Sequence, residues 1–128
     1  MSFEILKRRA LAFLRDAKED FNKEDYDLVM FHVEQFIQLY AKYLLYRKLG
    51  DFPKMHSIIK LLRDLARVYN ACEIDSFIER KIESLYLLEE AYISSRYIPR
   101  EYDREIALKT LGLAEEILEV FKCLESQQ

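Results

Sequence analysis

Apolar residues recur along this chain at steps of three and four, the period of helices with one face turned inward. A first helix is predicted from about Phe3 to Phe21, with Ile5, Leu6, Phe13 and Ala17 on its apolar side. Asn22 and Asp25 are candidate caps before the next helix. The second helix should run from about Glu24 to Leu49, at ~1.5 Å per residue close to 40 Å long. Val29, Val33, Phe36, Tyr40 and Tyr43 form one seam on it, and Met30, Ile37, Ala41, Leu44 and Leu45 a second stripe beside it. A helix apolar on two faces is covered by more than one neighbour, so it either sits centrally in a bundle or turns one stripe to another subunit. Gly50 supplies a left-handed C-terminal position and Asp51-Phe52-Pro53 the turn. The third helix is predicted over about Pro53 to Tyr69, with Ile58, Leu61, Leu62, Leu65 and Tyr69 inward. After the short link Asn70-Ala71-Cys72-Glu73, a fourth carries Ile74, Ile78, Ile82, Leu85, Leu88 and Tyr92. Pro99 interrupts the pattern. The last helix starts near Asp103, a fair N-cap, and carries Ala107, Leu111, Ala114, Leu118 and Phe121, with residues 125–128 expected to fray. Gly112 inside it points to close approach of a neighbouring helix. Short loops make consecutive helices antiparallel. The expectation is an all-α, up-and-down bundle of four to five helices, a single domain over residues 1–128 with a long central second helix.

Composition narrows the choice of function. The chain has 128 residues, a length suited to one domain, and needs no disulfide framework to bury a core. Two Gly and two Pro are too few for the turns of a sandwich or barrel, and too few for a Walker or GxGxxG phosphate loop. The balance of 20 basic and 23 acidic residues leaves −3, which does not suit a general DNA binder, and no sequence-specific DNA binding is expected. No run approaches the ~18 apolar residues of a membrane span. The first nine residues lack the apolar stretch of a secretion signal, so a cytoplasmic location is expected. Cys72 and Cys123, 51 positions apart with no CxxC, read as two reduced thiols. Scarce Asn and Gln beside abundant Lys, Glu, Arg, Ile and Tyr lean toward a heat-adapted source.

Few residues can carry chemistry. His32 and His56 have no partners at metal-ligand spacing, and HExxH is absent, so neither metal nor other cofactor is expected. GxSxG is missing as well. Nine Tyr are spread along the chain, mostly as core and rim residues, some of them candidates for stacking on a base. The most distinctive stretch, Ala91-Tyr92-Ile93-Ser94-Ser95-Arg96-Tyr97-Ile98-Pro99-Arg100, sets hydroxyls, arginines and tyrosines at a helix break. There a guanidinium can grip a phosphate bidentately and a ring can stack on a base. The competing reading is a structural corner, with Arg96 paired to a carboxylate and Tyr97 plugging the core.

Four segments, in order, resemble the HEPN family of small helical domains associated with nucleotide binding. They are Phe13 to Phe21, with its recurring Ala and Asp; Asp25-Tyr26-Asp27 followed by Phe31-His32-Val33-Glu34-Gln35; His56-Ser57-Ile58-Ile59-Lys60-Leu61-Leu62; and Ser95-Arg96-Tyr97-Ile98-Pro99 followed by Ala114-Glu115-Glu116-Ile117-Leu118. The resemblance implies a helical bundle, a homodimer, and partnership with a minimal nucleotidyltransferase in a toxin–antitoxin-like pair. Many family members are metal-independent ribonucleases with Arg, four to six residues, then His, which joins a phosphate-binding cation to a general acid/base. Here the permitted positions after Arg96 hold Glu101, Tyr102 and Asp103, and no Arg stands at that distance before His32 or His56. Ile98 also separates Tyr97 from Pro99, and Gln38 stands where relatives often have Lys.

The leading expectation is therefore a homodimeric module that binds a nucleotide or RNA ligand through Arg96 and Tyr97, with His56 and Ser57 nearby. The alternatives are a ribonuclease with an atypical acid/base, such as His56 or Tyr102, and a purely structural helical interaction protein.

Overall fold

The computed structural model describes residues 3–97 and 102–127; of residues 94–97 it describes the backbone only. Five helices follow one another: α1 (Glu4–Asn22), α2 (Tyr26–Leu49), α3 (Ile58–Tyr69), α4 (Ile74–Tyr97) and α5 (Arg104–Glu125). There is no strand among the described residues, and none of their helices is long and apolar enough to cross a membrane. The break at Pro99 lies outside the described residues.

α1 and α2 form an antiparallel hairpin. Its tight turn uses Glu24 in a left-handed conformation, φ +63°. Ring contacts trace the pairing: Phe3 meets Tyr46 at 4.2 Å, Phe13 meets His32 at 5.6 Å and Phe21 meets Tyr26 at 5.7 Å. α5 lies antiparallel to α1, tied by Lys7–Glu125 at 2.8 Å and Lys18–Glu115 at 2.7 Å. It runs parallel to α2, stacking Phe121 on Tyr40 at 4.8 Å. α3 and α4 close the other side. α2 touches all four other helices and both its apolar stripes end in the core, where Val29, Val33, Phe36, Ile37, Ala41, Leu44 and Leu45 are fully buried. Its central place follows from that double stripe. Gly50 ends it in the left-handed region, φ +79°, donating its N–H to the Tyr46 carbonyl.

Four details differ from the sequence expectations. α3 begins at Ile58 rather than Pro53, because Ser57 caps it by accepting the Lys60 N–H. Phe52 and Met55, packed against the core, hold the preceding segment non-helical. Gly112 is exposed, and a Cβ there would meet nothing within 4 Å, so no neighbouring helix requires it. Glu125 does not fray. Its carboxylate takes Lys7 at 2.8 Å, the Tyr40 hydroxyl at 2.5 Å and the Tyr43 hydroxyl at 3.2 Å. Burial works to raise its pKa, but these donors together outweigh that and hold it below the usual carboxylate range. Burial pushes both tyrosine hydroxyls well above theirs, reinforced by the Glu125 charge.

The fourth is covalent. Cys72 and Cys123 form a disulfide with Cα atoms 6.1 Å apart, not two reduced thiols. It ties the α3–α4 link to the last turn of α5. The link is made of conformations that side chains rarely adopt: Asn70, Cys72 and Glu73 have φ of +47°, +61° and +54°. The chain path through two further helices, not sequence spacing, brings the two sulfurs together.

Candidate functional site

A line of polar side chains runs through the otherwise apolar wall of α2. Glu34, Gln38 and Lys42, spaced four apart, share one face and are all buried. A helix with core on two sides leaves these groups no solvent, so they must satisfy one another. Gln38 is the adaptor. Its Nε2 donates to Glu34 Oε2 at 3.1 Å and to the His56 carbonyl at 3.3 Å. Its Oε1 accepts from Lys42 Nζ at 3.4 Å and lies 3.1 Å from His56 Nδ1. Acceptors on one side and donors on the other assign the amide's orientation and put the His56 proton on Nδ1. In the neutral imidazole Nε2 of His56 is then left as an acceptor.

Glu34 exposes none of its surface. Burial pushes its pKa from 4.5 to about 8, with the Glu89 charge adding to the rise; hydrogen bonds from Gln35 and Gln38 and the charge of Lys42 pull the other way. Burial likewise lowers Lys42, opposed by Glu34. At neutral pH the carboxyl is largely protonated.

Glu89 reaches across from α4 to the start of α3. Its Oε1 accepts the Ser57 hydroxyl at 2.5 Å and the Ile59 N–H at 3.1 Å, satisfying donors that a helix N-terminus leaves open. Together Glu34, His56, Ser57, Glu89, Tyr92 and Ile93 line a cavity of about 170 Å³ between α2, α3 and α4. The Tyr92 ring stacks on Phe31 at 5.6 Å, which fixes one wall. Ile93 is 59% exposed at the mouth.

Of the residues picked out in the sequence, His56 and Ser57 meet in this wall. Arg96 and Tyr97 stand in the last turn of α4, four and five positions after Tyr92; their side chains lie outside the described residues. Sequence reasoning missed Glu34, Gln38 and Lys42 as a network, and Glu89. The signal for the first three was present: a polar stripe at four-residue spacing inside a helix otherwise made of core. His32 stands apart, paired with Asp20 at 2.5 Å and stacked on Phe13. Among the described residues no cluster of three or more His, Cys, Asp or Glu is placed to hold a metal ion.

Comparison with known proteins adds three findings. The family model described as HEPN domain matches residues 3–124. The crystal structure of TT1696 from Thermus thermophilus is similar over 95% of this chain and 97% of its own, with a TM-score of 0.76 and 25% sequence identity. No curated protein matches the chain.

Proposed function

The chain belongs to the HEPN domain family, and from that premise we propose that it is a nucleotide-binding module rather than a ribonuclease. It works as a homodimer beside a minimal nucleotidyltransferase, in a toxin–antitoxin-like pair. The observation that carries the reading is that His56 and Ser57 share a cavity with Glu89 and Tyr92, one helical turn from Arg96 and Tyr97. Arg96 holds the phosphate, where a guanidinium makes charge-assisted, two-pronged hydrogen bonds. Tyr97 lies beside the ligand, and His56 and Ser57 contribute polar contacts from the segment that leads into α3. Against cleavage stands the absence of His at the three permitted positions after Arg96, which are Glu101, Tyr102 and Asp103.

The homodimer rests on family membership. The second stripe of α2, which the sequence left free to face another subunit, is covered within one chain. A monomeric mass by light scattering at micromolar concentration would remove this part of the proposal. We place the protein in the cytoplasm; a disulfide-bonded cytoplasmic protein suits the heat-adapted source that the composition suggests.

The test is calorimetric titration with ATP, GTP and their mono- and diphosphates, beside Arg96→Ala. Loss of a charged hydrogen bond should weaken binding roughly 10–100-fold. Unchanged affinity in a folded variant would remove Arg96 from the site.

A further inference from the structure

We propose that the cavity between α2, α3 and α4 receives the amino-bearing edge of a nucleobase, with Glu89 and His56 as the acceptors that select it. This rests on the reading that the chain binds a nucleotide, and specifies which part of the nucleotide enters where.

Size comes first. The cavity holds about 170 Å³, against roughly 300–1,000 Å³ for pockets that enclose a whole drug-sized ligand. It admits one ring system and not a ring, sugar and phosphate together. Charge comes second. Two carboxyl side chains, Glu34 and Glu89, stand in the wall, and among the described residues no Lys or Arg lines it. A phosphate meets no counter-charge from the described lining, so it stays outside, toward the end of α4, where the proposed function places Arg96. Hydrogen-bonding capacity comes third. Glu89 Oε1 is engaged by Ser57 and Ile59, while among the described residues Oε2 accepts no hydrogen bond. His56, with its proton on Nδ1 toward Gln38, keeps Nε2 as an acceptor. The Ser57 hydroxyl spends its proton on Glu89. At Glu89 and His56 the wall therefore offers acceptors, and the complement of that part is a ligand edge that carries N–H. Finally, Tyr92, stacked on Phe31, and Ile93 supply apolar surface for the flat face of a ring. Glu34 shows no surface to the cavity mouth and acts from beneath, through Gln38.

Adenine, guanine and cytosine carry an exocyclic amino group; uracil has a carbonyl where cytosine has it, and hypoxanthine has a carbonyl where adenine has it and only hydrogen where guanine has it. A hydrogen bond to a charged acceptor separates the two groups by about tenfold or more. The experiment measures dissociation constants of the full chain for the 5′-monophosphates of adenosine, guanosine, cytidine, uridine and inosine, which share one phosphate. The expected result is binding about tenfold or more tighter for the first three. In Glu89→Gln, the new amide oxygen keeps the bonds from Ser57 and Ile59 and its NH₂ turns into the cavity, so the preference should reverse toward uridine and inosine. Equal affinity for all five would overturn this inference while leaving nucleotide binding intact. An unchanged order in folded Glu89→Gln would overturn the assignment to Glu89. Binding of none of the five would overturn this inference and the nucleotide-binding reading together.

Discussion

Glu34→Gln should make the protein more stable, and increasingly so as pH rises. Glu34 is fully buried, and its pKa stands near 8 in the folded chain against an ordinary 4.5. Between those values the folded state holds a proton that the unfolded state has released. Stability then falls as pH rises through that window, by about 1.4 kcal/mol per pH unit, and levels off above pH 8. At pH 7 the cost is on the order of 3 kcal/mol. Gln keeps the shape and the acceptor facing Gln35 and Gln38 but never ionises. It gives back part of the gain, on the order of 1 kcal/mol, because one acceptor oxygen becomes a donor. The variant should therefore gain about 2 kcal/mol at pH 7 and little or nothing at pH 5. Urea unfolding of both proteins at pH 5, 6, 7 and 8 reads the difference directly and cancels the titrating groups that do not interact with Glu34. A difference that stays flat across the series would refute the argument, because it would mean that Glu34 titrates alike folded and unfolded.

Two further predictions concern stability alone. Replacing both cysteines by serine removes a cross-link closing 51 residues, which the chain-entropy account puts at about 4 kcal/mol; the denaturation midpoint should fall accordingly, and thiol titration of the untreated protein should find no reactive cysteine. Two titratable thiols without reductant would contradict the pairing. Gly112→Ala, in an exposed helix interior with open space around the new methyl group, should stabilise by roughly 0.5–1 kcal/mol in thermal melts; a loss would restore the close helix approach that the sequence suggested.

Local rules read the fold well where local energies decide it. Two apolar stripes on α2 predicted its central position, and Gly50 and Asp103 predicted helix ends that the chain uses, with Asp103 accepting the Ile106 N–H at 2.9 Å. Where two local signals competed, the nearer reading lost: Pro53 is a good helix start, but Ser57 offered a side-chain cap and Phe52 packs inward when left non-helical. The disulfide and the anchoring of Glu125 depend on which ends of the bundle meet, and no spacing rule carries that. The cavity was legible in halves. His56 and Ser57 were visible as a motif, whereas Glu89 looks like any solvated carboxylate on α4 until α3 places its N-terminus against it. Glu34 was read as part of a resemblance and not as a buried acid, although its spacing with Gln38 and Lys42 already set three polar groups against the core.

The most direct test of the central claim is a map of amide chemical-shift changes as a nucleoside monophosphate is added to the isotopically labelled chain. Saturating shifts at Glu34, His56, Ser57, Glu89 and Tyr92, with the groove of Lys7, Leu11 and Leu118 on the far side of α2 unmoved, are the predicted result. A full titration that moves no resonance, or moves only that distant groove, would contradict it.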